Sequence, residues 1–327
     1  MAASVTVAAS AGDNKPYSGT NYFPSAFSLN TIPSLDGLTA VVTGGNSGIG
    51  FETSKHLALN GARVIITCRS SAKAQDSIAK IEQAVNEVNR TARIEFIVLD
   101  LADLEAVKVI TQHLPQDLKS IDILVCNAGI FNLDANFFQV SPSSGLESMF
   151  AVNHLGHFFL TLQLMPLILA SSSPRIVMVS SYGTWRAPLC GIDFDSLTVR
   201  NPSFTSRHYY GQSKLANMLF AAELNRRYGH QVYVNSVHPG NVATEMTRDL
   251  FASAQASIYT NILSAEQGAI ASLFAAVSPD IVENGVKCSY IIPFGVVSTD
   301  HNPIANDVEL SKRLWEFSES ILSRVLE

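Results

Sequence analysis

The sequence is poor in charged residues and in cysteine. Only 15% of its 327 residues are charged, and 22 lysines and arginines stand against 28 aspartates and glutamates, for a net charge of -6. A chain without a broad positive field is a poor candidate for nucleic-acid binding as its primary role. The four cysteines, at positions 68, 126, 190 and 288, form no CxxC pair. We therefore expect reduced thiols and a cytoplasmic protein.

Long uninterrupted apolar runs are also missing. The longest candidate, residues 158–170, is broken by Thr161, Gln163 and Pro166. It falls short of the roughly 20 apolar residues of a membrane span, so we predict a buried helix and no integral membrane segment. Residues 1–36 lack the basic start and apolar middle of a secretory signal and contain no arginine. We predict a flexible N-terminal arm over 1–36 and one domain over 37–327.

From residue 38 onward, short β-branched runs alternate with helix-length amphipathic stretches. Strands that are continuous apolar runs are buried on both faces, and connections that hold a helix make neighbouring strands parallel. This pattern predicts an α/β fold of a single domain, a doubly wound parallel seven-stranded sheet of the Rossmann type, with a terminal helix near 310–325. The predicted strands are 39–43, 63–67, 94–99, 121–125, 175–179, 231–235 and 288–292.

A glycine-rich turn follows the first strand and leads directly into a helix pattern. Glycines allow the backbone to approach a pyrophosphate, whose charge is met by the N-terminus of the helix. The predicted phosphate-binding residues are Gly44, Asn46, Ser47, Gly48, Ile49 and Gly50.

The end of the second strand favours NADP(H) over NAD(H). Arg69 lies 19 residues beyond Gly50, where such folds contact the adenosine ribose, and Lys73 is nearby. An arginine at this point offers charge and donors to a 2′-phosphate. Asp100, beside Leu101, either meets the adenine or caps the next helix. Residues Asn127, Ala128 and Gly129, which close the fourth strand, bring small side chains to the crevice.

Tyr210 and Lys214 lie four residues apart at the start of a predicted helix, so both can face one pocket. At about 4 Å and an effective dielectric constant of about 20, their attraction is worth roughly 4 kcal/mol, or about 3 pKa units. We therefore expect Lys214 to lower the pKa of the Tyr210 phenol and make it a usable acid and base.

Taken together and in this order, these motifs resemble the short-chain dehydrogenase/reductase family. The residues 152–158, 210–215, 237–241 and 314–319 look like its retinol dehydrogenase branch, which includes the oxidoreductase half of the WW domain-containing oxidoreductase. No WW domain is expected here, because Trp185 and Trp315 both lie in the dehydrogenase part.

The resemblance implies a role for each matching residue. Tyr210 exchanges a proton with the substrate oxygen, and Lys214 lowers its pKa and binds the nicotinamide ribose. Ser181, rather than its neighbour Ser180, hydrogen-bonds the substrate carbonyl, and Asn153 holds a water that links Lys214 to solvent. The residues that fix the nicotinamide are Pro239, Gly240 and Thr244. Tyr209 has no lysine four residues on and is not expected to take part.

The segment between Ser181 and Tyr210 spans 29 positions and is rich in aromatic residues. We predict that this segment forms a wall of the substrate pocket; the alternative is a surface loop. The residues that suggest a wall are Trp185, Pro188, Cys190, Phe194 and Phe204. His154 and His157 are expected to be core or interface histidines and not metal ligands, and His238 a loop residue at the crevice. Because the sequence shows no arginine cluster that would bind a phosphorylated substrate, we expect a lipophilic alcohol or carbonyl compound as substrate.

These observations predict an NADP(H)-dependent oxidoreductase that interconverts a lipophilic alcohol and its aldehyde or ketone without a metal. An alternative is a regulatory or scaffold protein that retains the nucleotide-binding fold. A light-dependent tetrapyrrole reductase is a third interpretation, but the long loops expected before its terminal helix are missing from the sequence. Association with further copies of the chain is left open.

Overall fold

The computed structural model describes residues 26–134, 136–248 and 261–326. Most of the predicted arm, residues 1–25, lies outside the described residues. Its last part packs on the domain: the Phe27 ring meets that of Phe274 edge-on at 5.5 Å, and Leu35 is buried.

Eight strands form one sheet in the order β3-β2-β1-β4-β5-β6-β7-β8, and all neighbours are parallel except β7 and β8. This confirms the doubly wound α/β fold of a single domain. The strands are β1 Thr39–Thr43, β2 Arg63–Cys68, β3 Arg93–Val98, β4 Ile123–Cys126, β5 Arg175–Val179, β6 Tyr233–Val237, β7 Tyr290–Ile292 and β8 Val296–Ser298.

The predicted count of seven strands was wrong by one, because β8 was missed. Its three residues pair antiparallel with β7 after a tight turn, in which Phe294 and Gly295 have φ values of 66° and 78°. A strand of three residues has no periodicity that the sequence could reveal.

Helices cover both faces of the sheet. Leu104, Leu160 and Leu215 belong to the apolar core on one face, and Leu57 and Ile81 to the core on the other. The helices are α1 Gly48–Leu59, α2 Ser71–Glu87, α3 Leu104–Lys108, α4 Ser148–Leu169, α5 Ser206–Tyr228, α6 Ala265–Val277, α7 Asp280–Glu283 and α8 Val308–Leu326. The predicted terminal helix is α8.

The chain changes direction across the sheet between β1 and β4. From β1 it builds outward through β2 and β3, and it then returns to place β4 on the other side of β1. Ligands in such folds bind at this switch point, outside the carboxyl ends of the strands. The predicted phosphate loop follows β1 and the Asn127 segment follows β4, so the topology brings them together.

Helix α4 is the one described helix whose length and apolar composition would allow it to cross a membrane. Its most apolar window is 67% buried within the protein. The part Ala151–Leu155 is π-helical, a widening of the helix that occurs often at functional sites.

Glu147 caps the N-terminus of α4 from a fully buried position. Its two carboxylate oxygens accept hydrogen bonds from the backbone N–H groups of Met149 and Phe150, at 2.9 and 3.0 Å. Burial nevertheless raises the pKa of this carboxyl group to about 7, because the charged form loses its hydration.

We expect Glu147 to make the stability of the protein fall as the pH rises. Its folded-state pKa of about 7 exceeds the ordinary value of 4.5, so its contribution is complete below the ordinary pKa and is lost as the pH passes 7. Glu147→Gln cannot ionise, so it should reduce the loss between pH 5 and pH 8 by about 2 to 3 kcal/mol. Urea unfolding at both pH values measures the difference. Glu82→Gln, at an exposed position on α2, is the control and should show the wild-type loss.

Candidate active site

The loop between β1 and α1 is shaped by close backbone approaches. Gly44 and Gly48 have φ values of +64° and +53°, which favour glycine. At Gly50 a Cβ atom would lie 2.3 Å from the Gly44 carbonyl oxygen and 2.4 Å from the Asn127 amide nitrogen. The loop therefore leaves no room for a side chain at Gly50, and the N-terminus of α1 faces the crevice.

The hydroxyl group of Thr43 joins the ends of β1 and β4. It accepts hydrogen bonds from the backbone N–H groups of Asn127 and Ala128, both at 2.9 Å, and lies 2.8 Å from Nε2 of His157. Nδ1 of His157 is 3.0 Å from the carbonyl oxygen of Asn153, which can only accept. The proton of the ring is therefore on Nδ1, and Thr43 donates to Nε2.

His154 and His157 are both fully buried, which places them in the core as expected. Burial lowers the pKa of His157 to about 4 and that of His154 to about 3, so both rings are neutral at physiological pH. His154 packs among the rings of Phe150, Phe158 and Phe220.

Asn153 lies in the π-helical part of α4 and ties three elements together. Its amide oxygen accepts from the N–H of Ile130 at 2.7 Å, and its amide nitrogen donates to the Ile130 carbonyl at 3.0 Å and to Ser213 Oγ at 2.9 Å. The amide oxygen and Lys214 Nζ lie 3.2 and 3.3 Å from the position that a Cβ of Gly129 would take. Its link to Lys214 through a water stays a prediction.

Tyr210 and Lys214 both project from α5, but their geometry differs from the expectation. Nζ of Lys214 donates to the Val179 carbonyl at 3.0 Å and lies 5.8 Å from the centre of the Tyr210 ring. Burial raises the pKa of Tyr210 to about 12, against a smaller lowering by its hydrogen bond with Ser181, and burial lowers the pKa of Lys214 to about 8. The expected lowering of the tyrosine pKa by Lys214 was therefore wrong for the protein alone, because desolvation dominates and Lys214 bonds to the Val179 carbonyl instead.

The rivals of the predicted catalytic residues have structural roles. The hydroxyl of Ser180 donates to the Lys214 carbonyl at 2.7 Å, whereas Ser181 is the serine that bonds to Tyr210. Tyr209 is fully buried, and its hydroxyl accepts from the N–H of Asn201 at 2.9 Å.

One cavity of about 830 Å³ contains nearly all of the predicted site. The predicted residues that line it are Gly44, Asn46, Ser47, Gly48, Ile49, Gly50, Arg69, Lys73, Leu101, Asn127, Ala128, Gly129, Ser181, Tyr210, Lys214, Pro239, Gly240 and Thr244. Two predicted residues, Asn153 and Asp100, are not among its lining. Asn153 lies behind it. Asp100 accepts a hydrogen bond from the N–H of Ala102 at 2.9 Å, but it does not cap the next helix, α3, because the N-cap of α3 is Asp103.

The end of the cavity near β2 carries the residues predicted to read the ribose. Arg69 is exposed, and the ammonium of Lys73 lies 3.9 Å from the carboxylate of Glu245. Glu245 also lies 3.8 Å from Arg248. The side chains of Lys73, Glu245 and Arg248 are all exposed, so these two ion pairs contribute little to stability. A phosphate group can therefore compete with Glu245 for Lys73.

The predicted wall of the substrate pocket is wrong for the five residues that suggested it. None of them is among the described residues that line the cavity. Phe194 packs on Phe317 of α8, and Phe204 stacks on His208 and meets Tyr209. Their aromatic character serves packing instead.

Sequence reasoning missed several residues that do line the cavity. They include Ile130, Phe131, Glu245 and Met246. Tyr182, Arg186 and Arg207 also line it and lie within the segment predicted as a wall, although they were not among the residues named for it. Of these residues, Arg207 could have been predicted from the sequence, because it lies three residues before Tyr210 and therefore on the same face of the helix.

The residues present fit a dinucleotide. The loop is closed to side chains at Gly50, the N-terminus of α1 meets the crevice, and the cationic Arg69 and Lys73 line one end while Tyr210 and Lys214 line the other. This set supplies backbone donors for a pyrophosphate and charge for a further phosphate.

Comparison with known proteins gives one consistent result. The family model described as short chain dehydrogenase matches residues 38–190. Retinol dehydrogenase 14 from Mus musculus is 35% identical, over 87% of this chain and 86% of that protein. The WW domain-containing oxidoreductase from Pongo abelii is 32% identical, over 95% of this chain and 75% of that protein.

Solved structures share the fold. An uncharacterised protein from Mycobacterium Paratuberculosis superposes with a TM-score of 0.71 at 28% identity, covering 91% of this chain and 98% of that one. A structure titled as an NAD(P) dependent gluconate 5-dehydrogenase from Beutenbergia cavernae, with bound NADP, has a TM-score of 0.61 at 26% identity, covering 79% and 96%.

We expect Gly50→Ala to weaken dinucleotide binding, because the new methyl group would collide with the Gly44 carbonyl and the Asn127 amide. Isothermal titration of NADPH should show at least a tenfold loss of affinity, equivalent to about 1.4 kcal/mol. Gly145→Ala, outside the cavity lining, is the control for backbone strain alone, because its φ is +71° and its Cβ would meet no atom within 4 Å; it should keep the wild-type NADPH affinity. Full NADPH affinity in Gly50→Ala would show that the loop yields and does not shape the site.

Proposed function

This chain belongs to the short-chain dehydrogenase/reductase family, and on that premise we propose that it is an NADP(H)-dependent oxidoreductase that interconverts a lipophilic alcohol and its aldehyde or ketone. The observation that carries the proposal is the single cavity in which the phosphate loop, Ser181, Tyr210 and Lys214 meet. An oxidoreductase of this family needs these groups in one place.

The residues of the chain handle the proton and hold the substrate. When bound, the nicotinamide supplies or accepts the hydride. Tyr210, whose pKa is about 12 in the protein alone, is protonated at neutral pH and can donate to a carbonyl oxygen. Ser181, which already bonds to Tyr210, is placed to hold the same oxygen. Lys214, with a pKa near 8, is mostly charged at neutral pH and stabilises the phenolate that proton transfer leaves.

Apolar side chains near the catalytic group support a lipophilic substrate. Ile130, Phe131, Val152 and Met246 line the cavity, and the Phe131 ring lies 4.4 Å from that of Tyr210. Such a wall excludes water and stabilises an apolar chain in proportion to the area that it covers.

The preference for NADP(H) rests on Arg69 and Lys73, which offer positive charge where a 2′-phosphate would lie. The NADP in the related Beutenbergia cavernae structure is consistent with this choice. We also propose a cytoplasmic location, which the four free cysteines support.

The scaffold alternative predicts nucleotide binding without turnover. Oxidation of NADPH screened over aldehydes, ketones, retinoids and steroids separates the two, because only the oxidoreductase consumes NADPH. The intact set of Ser181, Tyr210 and Lys214 in the cavity favours the enzyme.

We expect Arg69→Asp to turn the cofactor preference toward NAD(H). A charge-assisted contact with phosphate is worth roughly 1.5–3 kcal/mol, or about ten- to a hundredfold. The ratio of kcat/KM for NADPH and NADH, measured in wild type and variant, checks this. An unchanged ratio would remove Arg69 from the 2′-phosphate site. Arg324→Asp, at an exposed position of α8 outside the cavity lining, is the control.

Tyr210→Phe should lower kcat by roughly 10²–10⁴-fold, because it deletes the transferable proton and keeps the ring. NADPH affinity, measured by titration, should stay near that of wild type. Tyr209→Phe loses only its hydrogen bond with Asn201 and should retain kcat within severalfold. The assignment fails if Tyr210→Phe turns over normally or if Tyr209→Phe is the more damaging change.

A further inference from the structure

Helix α5 presents three charged or ionisable side chains to the cavity on one face. Arg207, Tyr210 and Lys214 follow each other at steps of three and four residues, and all three line the cavity. Lys214 and Tyr210 have roles in the proposed reaction. Arg207 lies about one helical turn, or about 5 Å along the axis, from Tyr210 and has none.

A second arginine reaches the same end of the cavity from the segment after β5. The turn Tyr182–Arg186 packs directly on α5: a Cβ at Gly211 would lie 2.8 Å from the carbonyl carbon of Arg186, and one at Gly183 would lie 3.1 Å from the Tyr210 ring. Arg186 therefore stands beside the residue that follows Tyr210, and its side chain lines the cavity.

The charges of the cavity are strongly unequal. Among the described residues that line it, the cations are Arg69, Lys73, Arg186, Arg207 and Lys214, and the one acid is Glu245. Glu245 is engaged at the adenosine end by Lys73 and Arg248. In the proposed function, Arg69 and Lys73 bind the 2′-phosphate and Lys214 assists the proton transfer. Neither task requires Arg186 or Arg207.

We propose that Arg186 and Arg207 bind a carboxylate of the substrate. This rests on the proposed function and narrows its substrate class to an apolar chain that carries the reacting alcohol or carbonyl at one point and a carboxylate at another. A guanidinium group pairs with a carboxylate through two parallel hydrogen bonds. The carboxylate is held and not transformed, so it sets the position of the chain against Tyr210.

The apolar wall and the two arginines are adjacent parts of one cavity, which suits an amphipathic molecule. Phe131 packs on the Tyr210 ring and covers the apolar part, while Arg186 is exposed and Arg207 is half-buried. Each arginine also has an interaction within the protein, so the carboxylate adds to that interaction or replaces it. An uncharged lipid would leave both cations without this contact.

The first test compares three substrates of one chain length: an oxo-fatty acid, its methyl ester and the corresponding ketone without a carboxylate. For wild type we expect kcat/KM for the acid to exceed that for the ester and the ketone by at least tenfold. Arg186→Gln and Arg207→Gln should each reduce the acid-to-ester ratio roughly tenfold, and added salt should lower the ratio in wild type. Arg324→Gln, which removes the same charge at an exposed position outside the cavity lining, should leave it unchanged.

The second test does not depend on turnover. Decanoate, which has no reacting group, should bind the protein loaded with NADPH, and Arg207→Gln should weaken this binding roughly tenfold in calorimetric titration while NADPH affinity stays near that of wild type. Binding of decanoate without turnover of any carbonyl compound would reject the proposed function and keep the carboxylate site. Equal turnover of acid and ester, or decanoate binding that is unaffected by both arginine variants, overturns the carboxylate proposal and leaves the oxidoreductase standing.

Discussion

The buried hydroxyl of Thr43 holds the site together. It receives two backbone N–H groups from the end of β4 and donates to His157, whose other nitrogen binds the Asn153 carbonyl. Through Asn153 the same network reaches Ile130 and α5. A buried polar group is stabilising only when its hydrogen bonds are made. The loss of one group from this network would therefore leave its neighbours with unsatisfied hydrogen bonds. The phosphate loop, the π-helical part of α4 and the catalytic helix are therefore positioned by one connected set of hydrogen bonds.

Burial also determines the electrostatics at the catalytic end. It raises the pKa of Tyr210, lowers that of Lys214 and lowers that of His238 to about 3. His238 has a structural use for its neutrality: its Nδ1 accepts the N–H groups of Tyr182 and Gly240, at 3.3 and 3.4 Å. The ring thereby ties the turn after Ser181 to the turn predicted to hold the nicotinamide. A charged imidazole could not accept these bonds, so the dry environment and the geometry require each other.

Much of the fold and the site could be predicted because both depend on local signals. Apolar runs and glycines placed seven strands and the phosphate loop, and helical spacing placed Tyr210 with Lys214. The rest depended on distances between segments. The sequence could not show that Lys214 donates to Val179, so it overestimated the effect of Lys214 on the phenol. Nor could it show that Phe194 packs on α8, so aromatic composition was wrongly interpreted as a pocket wall.

Arg186 and Arg207 escaped notice for the same reason, since they are far apart in the sequence and form no cluster there. Both line one cavity, and the turn that carries Arg186 lies against α5, which carries Arg207, because Gly183 and Gly211 leave no side chain between them. That contact also sets Ser181 beside Tyr210. A side chain at Gly211 would press on the backbone of Arg186 and on the Gly183 carbonyl, and would shift Ser181 and Arg186 together. Alignment of the catalytic pair and selection of the substrate are thus coupled through a single close backbone contact.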